Sequence, residues 1–470
     1  MYTTSSVAKP RHRFEIANST GSNKPVNDRA TAWQDYICTK LLITLSSSGS
    51  DQWMEAKTEL LAKDKAKITH FLSRSTKPRA GIKPATFNFR VLRWEKETRL
   101  ESILAQPPPF ERENDSNEST SLWTPDTIHL CMTVNGLIVS QRMLNTIRSI
   151  LYYQNRVIRD RPECLIRILN ATILSCPENL AKKNWRPLHF HIITNKHTQG
   201  IVHKNLVQWA LEWVTWSFYS MDDNIYKVKW VSNYHSAGLS AMIKLVIPNM
   251  LPETVEKVIT IDTDVLFNHD ITELWDHFQK FNEKQMLGFA WEQQSNHPDC
   301  MENLVTIIPK AGINAGLALL HLKRMRQMNW ENLWHIIERI EHFQHGYLGE
   351  GEQQIFRSLI RELPHVYYKL PCEWNVQVYS DKAATCCQVV WPLRSPNEVD
   401  CSPSKLAGTN IRLLKLAHFN SGPKPTDEDS VTEFPAELTQ IKRYLTTWEV
   451  KRRFYQMYHK FSALPLNCFQ

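Results

Sequence analysis

One ten-residue stretch, VITIDTDVLF at 258–267, limits what this chain can fold into. Its side chains are apolar or β-branched, as in a buried strand, except for Asp262 and Asp264. Burying an unpaired carboxylate is costly, so both groups must be paired, protonated or bound to a cation. Residues i and i+2 of a strand share a face, so the two carboxylates point the same way. Paired hard oxygens are typical ligands of Mg²⁺ or Mn²⁺, and strand-end capping or ion pairing is the alternative.

A second pair of this kind, Asp427 and Asp429 in PTDEDSV, has a different context. It follows proline and lacks a preceding apolar strand, which is typical of a solvated acidic loop. A D-x-D triplet is expected about once by chance in a chain of this length. Context therefore favours Asp262 and Asp264 as the metal-site candidates.

Composition sets only broad limits. The 470 residues are 42% hydrophobic and 22% charged, as in globular proteins, and the net charge of +8 fits an anionic substrate or a basic surface equally well. We find no nucleic-acid-binding signature, no apolar run of about 18 residues and no signal-peptide core.

The cysteines and glycosylation sequons point to a compartment only weakly. Ten cysteines without a C-x-x-C pair make a zinc site unexpected, and the cluster at 372, 386, 387 and 401 has the makings of one disulfide. Four N-x-S/T sequons weakly favour the secretory pathway. The missing anchor or signal argues against it.

The chain divides into five predicted regions. We expect disorder at 1–29, a helical extension at 30–105, a linker at 106–125, one α/β domain at 126–430 and a helical tail at 431–470. Within the domain, apolar strand patterns alternate with helical patterns, which predicts a mostly parallel central sheet covered on both faces. The predicted strands are 127–134, 188–194, 257–267, 285–291, 313–322, 365–370 and 411–420. The predicted helices are 141–153, 206–214, 240–251, 331–343 and, in the tail, 437–461.

Two chemistries begin with an acidic pair at a strand end. In haloacid-dehalogenase-like phosphatases the pattern is D-x-D-x-[TV] at the start of the domain, whereas here the fifth position is Leu266 and the pair lies in mid-domain. The other chemistry is sugar transfer from a nucleotide sugar, in which a metal neutralises the departing diphosphate.

The sequence KVITIDTDVLFNHDITELWDHFQKF resembles the metal-binding strand and following helix of family 8 glycosyltransferases. More narrowly, it is similar to the xylosyltransferase half of LARGE-type enzymes, which build a xylose–glucuronic acid polymer on dystroglycan. The similarity runs from about Thr127 to Pro425 and includes, in order, TIHLCMTVNG, PLHFHIIT, HSAGLSAMIKL, GINAGLALLHLKRM, LPCEWNVQ and AHFNSGPKP. It implies a GT-A-type nucleotide-sugar-binding fold with helical N-terminal and C-terminal extensions.

The resemblance also implies roles for individual residues. The implied Mn²⁺ ligands are Asp262, Asp264 and His418. The implied donor-binding residues are Thr133, Asn135 and Gly136 at the uridine, Lys244, Asn314 and Gly316 near the sugar, and Gly422 and Lys424 at the diphosphate. Taken singly, His418 fits an ordinary core histidine, Lys244 a helix lysine extending to solvent, and Gly316 a strand bulge.

One motif departs from the family pattern. Where the family carries D-Q-D before an I-F pair, this chain has Glu352, Gln353 and Gln354, our candidates for the catalytic group. The amide of Gln354 can hydrogen-bond but cannot offset the positive charge of an oxocarbenium ion. The chain also ends at 470 without a second, glucuronyltransferase domain, so we expect that it does not polymerise a disaccharide by itself.

The leading hypothesis is a metal-dependent retaining glycosyltransferase that uses Mn²⁺ and a UDP-sugar donor, UDP-xylose by resemblance. The expected acceptor is a glycan on a glycoprotein, and the expected location is the Golgi lumen or membrane, with any membrane association through a segment not seen in this chain. One alternative is a glucoside xylosyltransferase acting on O-glucosylated extracellular repeats. Another is a non-catalytic descendant that binds a glycan or a protein partner.

Overall fold

A computed structural model of the chain describes residues 123–168, 171–172, 185–209, 211–293, 312–379, 386–391, 412–425 and 445–470. The predicted disordered segment 1–29, the helical extension 30–105 and most of the linker 106–125 lie outside these ranges. The second acidic pair and the first part of the predicted tail lie outside them as well.

The described residues alternate between strands and helices. The strands are β1 Ile128–Val134, β2 Arg167–Ile168, β3 Ala171–Thr172, β4 Leu188–Thr194, β5 Val214–Ser220, β6 Val258–Ile261, β7 Val265–Phe267, β8 Leu287–Trp291, β9 Ile313–Leu320, β10 Tyr367–Lys369, β11 Val376–Gln377, β12 Val389–Val390, β13 Arg412–Leu413 and β14 Leu416–His418. The α-helices are α1 Leu137–Tyr153, α2 Lys196–Val207, α3 Gly238–Met242, α4 Ile247–Met250, α5 Ile271–Trp275, α6 Leu322–Gln327, α7 Trp330–His345, α8 Glu352–Glu362 and α9 Thr447–Ala463.

Within these ranges, the central sheet has seven strands in the order β10-β8-β9-β6-β1-β4-β5. Strand β9 runs antiparallel to both neighbours, β6 and β8, and the other neighbouring pairs are parallel. Strand β4 is buried along its whole length, as expected of a parallel strand covered on both faces. The predicted α/β architecture with a mostly parallel sheet is therefore confirmed.

Two apolar clusters cover the two faces of the sheet. Consecutive residues of β1 point to opposite faces, so Leu130 packs in the cluster of α1 and α9, and Cys131 in the cluster of α7 and α8. Helix α9 begins with a capping box between Thr446 and Glu449 and buries Phe454 and other apolar residues in the first cluster. The described part of the predicted tail thus packs into the main core.

Three local predictions differ from the structure. The predicted helix at 206–214 is wrong, because α2 ends at Val207 and Val214 already begins the edge strand β5. The predicted strand at 257–267 is two strands, since the chain turns between Ile261 and Val265. Helix α8 was not predicted at all.

Strand β14 gives the fold its second, smaller sheet, in the order β11-β14-β7. It pairs antiparallel with β7, and His418 lies opposite Val265, the residue after Asp264. The backbone N–H of Phe419 also donates to the carbonyl of Asp264, at 2.9 Å. This pairing carries a residue from late in the sequence to the end of β6.

Three buried histidines, His129, His189 and His191, form a histidine cluster on one face of β1 and β4. Nδ1 of His129 lies 3.0 Å from Nε2 of His191, whose Nδ1 lies 2.8 Å from the Tyr219 hydroxyl. The Trp123 indole N–H donates to Nδ1 of His189 at 3.0 Å. Burial lowers the pKa of His129 to about 3, of His189 to about 4 and of His191 to about 2. The folded chain therefore holds all three rings neutral.

Disulfide bonds tie together segments of the described residues. One joins Cys164, shortly before β2, to Cys468 after α9, another joins Cys372 to Cys387, and Cys386 is disulfide-bonded as well. The second falls within the cysteine cluster noted in the sequence. Among the described ranges, no helix has the length and apolar character needed to cross a membrane.

Candidate active site

The two aspartates lie at the carboxyl edge of the central sheet, just after β6. The backbone N–H of Asp262 donates to the carbonyl of Gly316 on β9, at 2.8 Å. On the other side, the Thr146 hydroxyl of α1 donates to the carbonyls of Thr263 and Val265, at 3.2 and 2.9 Å. Ligands of open α/β sheets bind at this edge, so the turn between β6 and β7 is held in place where a ligand is expected.

His418 meets both aspartates. One ligand atom from each of Asp262, Asp264 and His418 lies within 4.8 Å of the others. Nε2 of His418 is 3.5 Å from Oδ1 of Asp264, while Nδ1 is 3.1 Å from Oδ1 of Asn375. An amide oxygen at Nδ1 requires the proton there, so in the neutral form of the ring the Nε2 lone pair is directed at the aspartates and is available to a cation. Two carboxylates and an imidazole are a donor set that fits a divalent cation such as Mn²⁺.

The His418 ring lies directly against Gly316. A Cβ atom at residue 316 would be 2.0 Å from Cε1 of the ring and within 2.7 Å of both ring nitrogens. No side chain fits in this space, so the glycine is needed for the close approach of the histidine to β9. The glycine predicted to border the donor sugar is thus also the floor beneath His418.

Two lysines flank the aspartates. The Lys424 ammonium contacts the Asp264 carboxylate and the carbonyl of Phe419. Burial raises the pKa of Asp264, but His418 and Lys424 outweigh this effect, and the net pKa is lowered. Asp264 is therefore ionised at neutral pH.

The second lysine, Lys244, is buried between two carboxylates. Its Nζ lies 2.7 Å from Oδ1 of Asp262 and 2.9 Å from Oε1 of Glu352, and it donates to the carbonyl of Ala315 at 3.2 Å. Burial lowers the pKa of Lys244, but the two carboxylates overcome this, and the net pKa is raised. Lys244 is therefore charged and connects the first aspartate to α8.

A buried network that includes Glu292 lies behind these groups. Its Oε2 accepts hydrogen bonds from Nδ2 of Asn314 at 2.9 Å and from Nε2 of Gln353 at 3.4 Å. Gln353 in turn accepts from the backbone N–H of Ala315, at 3.0 Å. Burial raises the pKa of Glu292, although its hydrogen bond from Asn314 partly offsets this. Sequence analysis missed Glu292; the available signal was an acid directly after the fully apolar strand β8.

The three candidate catalytic residues do not all face the same way. Glu352 contacts Lys244, and Gln353 contacts the network around Glu292, whereas Gln354 points into the space between α7 and α8. Its Nε2 donates to Oε2 of Glu341 at 2.7 Å, and its Oε1 accepts from the backbone N–H of Gly349 at 3.0 Å. The contacts of Gln354 are those of a buried structural amide.

The predicted uridine-binding residues lie at the end of β1, the strand next to β6. Asn135 accepts a hydrogen bond from the Asn195 side chain, and the N–H of Gly136 donates to the Thr198 hydroxyl at 2.9 Å. Gly136 has φ +89°, which favours glycine. Thr133 is half-buried at the end of β1, two residues before Asn135, so the three residues lie at the same edge of the sheet as the aspartates.

In the loop after β14, Gly422 is exposed, and a Cβ atom added there would meet nothing within 4 Å. It lies two residues before Lys424, whose ammonium contacts Asp264. The backbone at Gly422 is therefore open to a ligand beside the lysine.

The sheet and its carboxyl-edge residues define a class of protein, the glycosyltransferases of the GT-A-type nucleotide-sugar-binding fold. The family model described as glycosyl transferase family 8 matches residues 146–426, and the chain belongs to that family. The resemblance stated from the sequence is thereby confirmed.

Several curated proteins and solved structures are similar to the chain. Xylosyl- and glucuronyltransferase LARGE2s of Gallus gallus is 32% identical over 265 residues, which cover 56% of this chain and 32% of the relative. Xylosyl- and glucuronyltransferase LARGE1 of Homo sapiens is 28% identical over 326 residues, 69% of this chain and 36% of the relative. The crystal structure of mouse xyloside xylosyltransferase 1 in its apo form has 18% identity and a TM-score of 0.43, covering 63% of this chain and 98% of that one. The chain spans about a third of the length of these curated relatives.

Proposed function

We propose that this chain is a metal-dependent retaining glycosyltransferase that transfers xylose from UDP-xylose to a glycan on a glycoprotein. The observation that carries the proposal is the meeting of Asp262, Asp264 and His418 within 4.8 Å, with Lys424 reaching Asp264 from 160 residues away in the sequence. A D-x-D pair that arose by chance is not expected to lie beside a histidine and a lysine from much later in the sequence.

The acidic pair and the histidine would hold the metal ion, which in this chemistry neutralises the departing diphosphate. Lys424 would place a second positive charge beside it, and the open backbone at Gly422 would let phosphate oxygens approach closely. Thr133, Asn135 and Gly136 would line the uridine pocket at the end of β1.

The buried network would hold the donor sugar. Asn314 and Gln353 are fixed by Glu292, and Gly316 lets the His418 ring lie directly against β9 beside them. Glu352 and Lys244 would fix the position of Asp262 through their ion pairs. We assign Gln354 a positioning role for the start of α8, because its contacts are with Glu341 and Gly349.

The sugar, acceptor and compartment are the finer parts of the proposal. Xylose is supported by relatives named xylosyl- and glucuronyltransferases, and a matriglycan-type glycan on dystroglycan is the acceptor that the sequence resemblance implies. Disulfides such as Cys164–Cys468 and Cys372–Cys387 are of the kind that persists in oxidising compartments, which supports the Golgi lumen.

The test is UDP release by the full chain from a panel of UDP-sugars, with Mn²⁺ or with EDTA. We expect UDP-xylose to be the best donor, release to require Mn²⁺, and Asp264→Asn to reduce release at least about 100-fold, the scale of losing one charge-stabilising group. The matched control is Asp160→Asn, because Asp160 is exposed beyond the far end of α1.

Several outcomes contradict the proposal. EDTA-insensitive turnover refutes the metal role, and preference for another UDP-sugar refutes xylose as the donor. Tight binding of UDP-xylose in calorimetry without any turnover identifies the non-catalytic alternative. Transfer to O-glucosylated peptides but not to dystroglycan-type glycans identifies the glucoside xylosyltransferase.

A further inference from the structure

Two tyrosines stand together on the surface beside the candidate active site. Tyr234 is 77% exposed and Tyr347 is 47% exposed. Their ring centroids are 4.9 Å apart and the rings meet edge to face, at 87°. Large apolar rings exposed to this degree usually lie scattered, so a paired set merits a functional explanation.

The backbone beneath this tyrosine pair is rigid. Asn233 and Leu348 form a parallel bridge, and the N–H of Tyr234 donates to the carbonyl of Leu348 at 2.9 Å. The Asn233 side chain accepts from the N–H of His235 at 2.9 Å and donates to the carbonyl of Gly238 at 3.1 Å. These bonds hold in place the two backbone segments that carry the rings, which lowers the entropy cost of binding.

The same two segments lead into the site. His235 packs against Gly351, where an added Cβ atom would be 3.4 Å from the Cβ of His235. Gly351 immediately precedes Glu352, which contacts Lys244 and, through it, Asp262. Glu352 lies five positions after Tyr347, so their Cα atoms lie at most about 18 Å apart.

We propose that the tyrosine pair is a stacking platform for a sugar ring of the acceptor glycan, one or more units away from the ring that reacts. This inference rests on the proposed function. The pair is continuous with the site, but Glu352 and Lys244 lie between it and the aspartates, so a ring on Tyr234 is not at the reacting position. The chain would accordingly select an oligosaccharide acceptor over a monosaccharide.

The chemistry of tyrosine suits this occupant. A sugar presents an apolar face of C–H groups and an edge of hydroxyls, and tyrosine offers a ring face with a negative quadrupole and one hydroxyl. Tyrosine also gives a large contact area with only two side-chain torsions to immobilise.

The experiment compares Tyr234→Ala and Tyr347→Ala with Tyr234→Phe in steady-state transfer assays. The probes are a tetrasaccharide of alternating xylose and glucuronic acid, and methyl glucuronide as the monosaccharide. We expect each alanine variant to raise the KM for the tetrasaccharide about five- to tenfold, with kcat unchanged, because the platform binds ground state and transition state alike. The phenylalanine variant should keep the wild-type KM, since the ring carries the contact.

Three readouts separate the possible failures. Trp448→Ala, which removes a ring that is 56% exposed on α9, should leave both acceptors unaffected. UDP release without an acceptor should be the same in every variant as in the wild-type chain. If the wild-type chain releases no UDP, the result counts against the proposed function and not against the tyrosine platform. Calorimetry of the tetrasaccharide with wild type and Tyr234→Ala then still tests the platform. Equal KM changes for both acceptors, or none for either, overturn it.

Discussion

The contact between Gly316 and His418 leads to a prediction that links packing directly to metal binding. Gly316→Ala adds one methyl group, and its Cβ would lie 2.0 Å from Cε1 of the ring, where ordinary contacts begin at 3.4 Å. The ring must therefore retreat by about 1.4 Å. Gly316 does not have a positive φ, so alanine itself is compatible with the backbone, and the clash is the whole perturbation.

A displacement of this size is far outside what a metal site tolerates. Metal–ligand distances in working sites hold to within about 0.2 Å, and loss of a residue that only orients a ligand costs about 10–100-fold in affinity. Because the ring is 3% exposed and pinned by Asn375, it has little room to move and return. We expect Gly316→Ala to weaken Mn²⁺ binding at least about 100-fold.

Calorimetric titration with Mn²⁺ measures the affinity, and thermal unfolding in EDTA measures the stability without metal. The matched control is Gly200→Ala on α2, where an added Cβ meets nothing within 4 Å; there we expect unchanged affinity and, if anything, greater stability. If Gly316→Ala binds Mn²⁺ within about twofold of the wild type, His418 is not a ligand and the reasoning fails.

Three further predictions concern stability. The rings of the histidine cluster have pKa values below 6.5 in the folded chain, so their contribution to stability is complete above pH 6.5 and is lost as the pH falls towards 4. In this range each ring lowers the free energy of unfolding by up to about 1.4 kcal/mol for each pH unit. A urea midpoint that stays constant from pH 7 to 5 would disprove this. Cys468→Ser removes a disulfide that closes a loop of 304 residues and should lower the free energy of unfolding by about 5 kcal/mol. An unchanged free energy of unfolding would mean instead that packing alone keeps α9 in the fold. Gln354→Glu restores the family's acid but places a second buried carboxylate against Glu341, whose Oε2 is now 2.7 Å from Nε2 of Gln354. The repulsion between the two carboxylates should reduce thermal stability without raising kcat. A gain in kcat would show that residue 354 is catalytic.

Strands were predictable from the sequence where the pattern of apolar residues within the strand itself was distinctive. Strand β4 was predicted with its exact bounds because apolar residues recur at every second position from Leu188 to Ile192 and the flanking Pro187 and Asn195 break the pattern. Strand β5 was missed because VTWSFYS continues the helical spacing of the preceding tryptophans, and as an edge strand it is only partly buried. Local pattern cannot separate a helix end from an edge strand when both alternate polar and aromatic residues.

The site shows the same division. The acidic pair was evident from a carboxylate inside a buried strand, and the late residues followed from the family resemblance. Glu292 stayed hidden because one acid after a strand has no spacing to mark it. The direction of Gln354 was equally out of reach, since successive residues on α8 point about 100° apart and only the docking of that helix decides which of them faces the aspartates.

The antiparallel pairing of β14 with β7 has a consequence for how the protein matures. The three candidate metal ligands come from both halves of the matched region, and His418 is translated only after most of the domain has left the ribosome. A nascent or truncated chain that lacks this strand cannot assemble the trio, however well the earlier strands have folded. Under the proposed metal role, binding of the cation would require the complete domain, and an incomplete product would be inactive.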